Sequence, residues 1–151
     1  MESLAARMCR SERAKVLVSE GLRDQSPRVR LLSIAAVETV FADQQAIGEV
    51  LRDVVADSDD FCRCAAFCLL IRSGEIEART IGALAREIGS GPESSVNDII
   101  REMKLRSPDR RNAMSTRWRL IALDSDEGAV IGAVIALDAL GYRGELPLTP
   151  E

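Results

Sequence analysis

The chain contains no histidine, one tryptophan, one tyrosine and three phenylalanines in 151 residues. Without histidine the commonest general base and member of a catalytic triad is missing. Acid–base chemistry would fall to Asp and Glu, and zinc would lose its usual nitrogen ligand. Aromatics supply only 3% of the residues although hydrophobic residues supply 46%. A core of Ala, Leu, Ile and Val with so few rings suits closely packed helices, whereas a sheet of this size draws on more aromatic and Thr residues. No apolar run reaches the roughly 18 residues that span a bilayer, and Met1 to Arg10 carry charges where a signal peptide needs an apolar stretch. The expected location is the cytoplasm, with no membrane partner. Lysine is almost absent, with two against 18 arginines, a bias given no functional weight.

What the chain does have is a repeat. Asp24, Asp57 and Asp124 each open a turn that leads into an apolar helix, and they lie 33 and then 67 residues apart, one period and then two. The missing phase falls at Ser90, within the turn Gly89-Ser-Gly-Pro-Glu93. Helix signals give four pairs, over 11–23 and 26–42, 44–56 and 58–73, 75–88 and 92–106, and 108–123 and 126–140, after a short lead-in at 4–9. Ser26-Pro27 and Ser107-Pro108 are start signals with Pro at the first helical position, and Gly74 and Gly141 are stops. The expectation is one all-α domain over 1–141, an α-solenoid of about four antiparallel helical hairpins in which each unit covers its neighbour's apolar face. Residues 142–151, with Gly144, Pro147 and Pro150, read as an extended tail.

The stretch Asp24-Gln-Ser-Pro-Arg-Val29-Arg30, followed by Ala35-Ala36-Val37, resembles the second helix of a HEAT repeat. The similarity is to the short bacterial kind called PBS-lyase HEAT-like. The second unit keeps Asp57, Arg63, Ala65-Ala66 and Leu69-Leu70. The fourth keeps Asp124, Ala129, Ala133, Leu137 and Leu140-Gly141, and the third lacks both the Asp and the Arg. The resemblance implies a helical-repeat scaffold that binds proteins. Some members of the family bind DNA or assist enzymes, so the fold alone does not choose among these roles.

At about 100° per residue, Val29, Ser33, Ala36, Val37 and Val40 share the core face of the first unit's second helix. Cys62, Ala66, Leu69, Leu70 and Ser73 do so in the second unit, and Ala129, Ala133, Ala136, Leu137 and Leu140 in the fourth. The opposite stripe, expected to line the concave surface, is Arg28, Leu31, Ala35 and Glu38, then Phe61, Cys64, Cys68 and Ile71, then Gly128, Ile131, Ile135 and Asp138. Helices apolar on both faces are either sandwiched or offer a binding surface, and the last helix has no following repeat to cover it.

Cys62, Cys64 and Cys68 lie close in sequence, but on one helix Cys62 points away from the other two, so the three cannot converge on one ion. They read as small packing residues. The turn carboxylates read as helix caps, and Gly89-Ser-Gly-Pro lacks the lysine and preceding strand of a phosphate-binding loop. No enzymatic activity, cofactor, metal or small-molecule substrate is expected.

Charge is uneven around a net of −4. Residues 101–119 hold seven basic against two acidic side chains, with Trp118 among them, and residues 43–60 hold six acidic against one basic. The sequence reading is therefore a protein-binding module or adaptor. A partner or a second copy lays apolar groups on Leu31, Phe61, Ile71, Ile131 and Ile135, and Arg106, Arg110, Arg111, Arg117 and Trp118 supply orientation. The alternative is nucleic-acid binding through residues 101–119, with Trp118 as a stacking ring; the pI of about 5.0 opposes it. A role beside a pigment-modifying enzyme rests only on the repeat family's name.

Overall fold

The computed structural model describes residues 3–4, 12–74, 78–123 and 126–142, and among them every regular element is helical. The lead-in at 5–9 and the tail from 143 onward lie outside the described residues. The chain divides into two compact units, Met1–Glu75 and Ile76–Glu151.

In the first unit α1 (Glu12–Gly21) packs on α2 (Pro27–Val40), and α3 (Gln44–Leu51) packs with α4 (Asp60–Ser73). The third expected helix is shorter than its apolar pattern. It gives way after Leu51 to a tighter 3₁₀ turn, Val54–Ala56, whose i→i+3 geometry keeps both Leu51 and Val54 buried. One core joins these elements: Leu22, Ile34, Val37, Val40 and Phe41 meet Ile47, Leu51, Cys62, Ala66, Leu69 and Leu70. Each fully buried Leu or Ile contributes about 1.5–3 kcal/mol from apolar burial.

The period returns as repeated bonding at the two turns. Asp24 Oδ1 accepts the Ser26 N–H at 2.8 Å, and 33 residues later Asp57 Oδ1 accepts the Asp59 N–H at 2.9 Å. Arg30 Nη1 donates to the Asp24 carbonyl at 2.9 Å, and Arg63 Nη1 to the Asp57 carbonyl at 2.8 Å. Arg30 also grips the Asp57 carboxylate with two prongs, Nε to Oδ2 at 2.7 Å and Nη2 to Oδ1 at 3.0 Å, a planar fork meeting a planar acceptor. Asp57 is thus taken by the arginine fork, and the cap of α4 passes to Asp59, whose carboxylate accepts the Cys62 N–H at 3.0 Å. That corrects the reading of the Asp57 turn carboxylate as the helix cap. Burial pushes the Asp57 carboxyl up, but hydrogen bonds from Arg30 and the Asp59 N–H, with the charges of Arg30 and Arg63, outweigh it and hold the group below its ordinary value.

The second unit contains α5 (Ala78–Ser90), α6 (Glu93–Lys104), α7 (Pro108–Leu123) and α8 (Glu127–Ala139). Asp126 caps α8, accepting the Ala129 N–H at 2.9 Å and Arg86 Nε at 2.9 Å, and these bonds lower its pKa. The repeat placed this turn at Asp124, which lies outside the described residues. Gly141, at φ 89°, ends α8: its N–H reaches the Asp138 carbonyl and the Tyr142 N–H reaches the Leu137 carbonyl, satisfying two terminal acceptors. Gly74, at φ 84°, ends α4 in the same left-handed conformation.

α5 and α8 touch backbone to backbone. A Cβ built on Gly132 would sit 1.6 Å from the Ala85 carbonyl oxygen, and one on Gly89 would sit 2.4 Å from that of Gly128. Fully buried Ala85, Ala133 and Ala136 continue the contact. Small residues four apart on each helix let the axes approach this closely.

Two predictions follow from these contacts. Gly132→Ala should destabilise by about 1–3 kcal/mol or more, because α5 and α8 must part. Gly82→Ala, in the same helix as Gly89 but with nothing within 4 Å of a new Cβ, should stabilise by about 0.5–1 kcal/mol. Urea unfolding of both variants checks the opposite signs. Asp57→Asn should lower the urea midpoint at neutral pH. Because the folded pKa lies below the unfolded value of about 3.9, this contribution is complete above that value and fades as pH falls through the folded one. The gap between wild type and variant should therefore narrow in acid, and a gap independent of pH would contradict the assignment.

Candidate functional site

Two contacts set α2 and α4 side by side and parallel. The Cys62 thiol donates to the Pro27 carbonyl at 3.4 Å where both helices begin, and Arg72 pairs with Glu38 at 3.4 Å where both end. Between these contacts lies an open groove, lined by Leu31, Leu32 and Ala35 from α2 and by Ala65 and Cys68 from α4. Phe61, one turn before Ala65 on the same stripe, stands 71% exposed, and Leu32 stands 65% exposed. Leu31, Leu32, Ala35 and Ala65 form an apolar strip along the groove, with Phe61 one turn beyond it on α4.

The strip departs from the expected stripe by one residue on α4. Cys64 and Ile71 are buried, Ile71 to 2% exposure, and the groove side carries Phe61, Ala65, Cys68 and Arg72. Seven of the fourteen residues of α4, from Cys62 to Ile71, are buried, so burial reaches around most of the helix and leaves only this sector. Ile71 therefore lies outside the groove. Leu31 remains on it, and Leu32, whose flanking position the helical phase gave no reason to prefer, joins it.

The basic segment is less unified than its sequence. It crosses the turn between α6 and α7. Arg106 is half-buried, with Nη2 on the Glu102 carboxylate at 3.0 Å, and Arg101 pairs with Asp98 at 3.3 Å. The Arg119 guanidinium lies 5.7 Å from the centre of the Tyr142 ring. Arg110 and Arg117 are exposed and Arg111 is half-buried. Trp118 is fully buried, and among the described residues its indole N–H has no hydrogen-bond partner. This corrects its assignment as a stacking ring: the indole sits on the inner face of α7 with Met114 and Ser115, one turn and three residues away. A charge count along sequence does not separate the two faces of a helix.

On α8, Ile131, Val134 and Ile135 are exposed while Ala129, Gly132, Ala133, Ala136 and Leu137 are buried. The core face is the one expected, and Val134 adds to the outward apolar stripe.

The cysteines divide by environment. Cys62 and Cys64 are buried and Cys68 is intermediate, and none of the three is in a disulfide. Burial, with the neighbouring Asp59 and Asp57, pushes the Cys62 thiol up to about 11, so it holds its proton at neutral pH. Among the described residues no three His, Cys, Asp or Glu side chains converge on a metal position, and no helix is long and apolar enough to cross a membrane. No protein-family model, curated protein or solved structure matches the chain.

With Cys9 replaced by Ser, a thiol-directed alkylating reagent at neutral pH should modify Cys68 first, and Cys62 and Cys64 only as the chain unfolds. Peptide mass spectrometry over time gives the order, and equal rates at Cys62 and Cys68 would refute the burial pattern.

Proposed function

We propose that the chain is a non-catalytic protein-interaction module of the HEAT-like α-solenoid kind, and that the α2–α4 groove is its docking surface. The observation that carries this reading is the apolar strip of Leu31, Leu32, Ala35, Ala65 and Phe61 on two parallel helices. The 33-residue recurrence of the turn bonding at Asp24 and Asp57 supports the repeat assignment. Such a strip receives the apolar face of an amphipathic helix, which presents side chains at i, i+4 and i+7. Phe61 has the size and exposure of an anchoring residue, since rings dominate interface energetics.

The nucleic-acid reading has weaker support. Its stacking ring is buried, and Arg101 and Arg106 are paired with Asp98 and Glu102, three and four residues earlier in the chain.

Selection of helical peptides from a display library tests the docking surface. Binders are expected with affinities in the micromolar range, weakened about tenfold or more by Leu32→Asp and by Phe61→Asp and unchanged by Leu105→Asp, an exposed position on the other unit. Matched thermal melts establish that the variants stay folded. Binders indifferent to both groove substitutions would overturn the proposal.

A further inference from the structure

A cavity of about 230 Å³ lies between the end of α1, α3 and the 3₁₀ turn, and it shares no lining residue with the α2–α4 groove. From the charges around it we infer that this cavity binds a small zwitterion of the amino-acid class, with an aliphatic stem between its anionic and cationic ends. The site is independent of the groove, and neither stands or falls with the other.

The apolar part of the cavity is built into the core. Leu22 and Val54 are 8% and 6% exposed and belong to the first unit's buried cluster, and Val50 packs against it. The charged part comes from two directions: Arg23 follows α1, whereas Glu49 lies on α3 and Asp53 opens the 3₁₀ turn. Asp57 also lines the cavity, but the Arg30 fork and the Asp59 N–H take three of its roughly four acceptor positions. The other charges are uncommitted. Among the described residues the Arg23 guanidinium makes no ion pair, so every carboxylate of the lining stands more than 4.0 Å from it. Asp53 makes no side-chain bond to the turn it opens, and the contact of Glu49 with Gln45 Nε2 is a long one at 3.4 Å.

A cation and two carboxylates that share a cavity without touching leave a gap that a dipolar molecule fills. A simple amine would meet Glu49 and Asp53 but bring a second positive charge towards Arg23. A simple carboxylate would meet Arg23 but approach two groups of its own sign. A zwitterion satisfies both sides: its carboxylate accepts from Arg23, its ammonium donates to Glu49 and Asp53, and its methylenes rest on Leu22, Val50 and Val54. A concave apolar base with a few polar groups converging on it is the usual construction of a small-ligand site.

Amide NMR titration of the full-length chain with β-alanine, 4-aminobutyrate and 6-aminohexanoate, zwitterions of increasing stem length, tests this. At least one should bind with a Kd of about a millimolar, as suits so small a ligand, and shift the amides of Arg23, Val50 and Asp53. Hexylamine and hexanoate, each lacking one of the two charges, should bind about tenfold or more weakly. Arg23→Gln and Asp53→Asn, at exposed positions, should each weaken the best zwitterion about tenfold while thermal melts stay at the wild-type value. No shifts up to about 50 mM of any zwitterion, hexylamine or hexanoate matching the best of them, or binding indifferent to both substitutions would each overturn the inference. The two single-charge controls decide the matter on the wild-type chain alone, without relying on a variant's fold.

Discussion

The fork of Arg30 on Asp57 is the contact on which the first unit's arrangement depends. One guanidinium holds the carbonyls of Asp24 and Gln25 in the turn before α2 and the carboxylate of Asp57 in the turn before α4. Both helices are thereby started from one rigid plane, and their parallel course and fixed offset follow. The groove is a product of that alignment: shifted by one residue, α4 would present Cys64 and Ile71 on the groove side instead of Ala65 and Arg72. The ion pair is nearly buried, with 12% and 9% of the two side chains exposed, so its geometry matters more than its Coulomb energy. Removing either partner leaves the other charge enclosed.

Much of this organisation was legible in the chain. The 33-residue period, Pro at the first helical position and glycines at the helix ends all act through local backbone chemistry, and they mark helices and turns wherever they occur. Cap identity was less legible, because Asp-x-Asp at 57–59 offers two acceptors and only the arginine fork decides between them. The face of α4 was harder still. A helix apolar around most of its girth has little moment, so its phase is set by neighbours that a single helix's sequence does not name. Trp118 shows the same limit from the other side. Its neighbours in sequence are charged, but its neighbours in space lie three and four residues away.

The close contact of α5 with α8 explains another feature that composition hides. In α8 Gly132 and three alanines face inward with Leu137, while Ile131, Val134 and Ile135 face outward, a distribution that size alone would not favour. Backbone proximity accounts for it, because atoms at Gly89, Gly128 and Gly132 fill the space that side chains fill elsewhere. Dispersion is then gained between main chains at short range, while the apolar surface that might have closed the core is left to face outward.

The burial of Trp118 also decides how the molecule can be watched. It is the single tryptophan of the chain and lies wholly within the second unit. Its emission therefore reports the packing around α7 in the second unit, whereas helical dichroism sums over both. Where the two signals coincide during unfolding, the units melt together. Where they separate, the difference isolates the half of the protein that bears the groove.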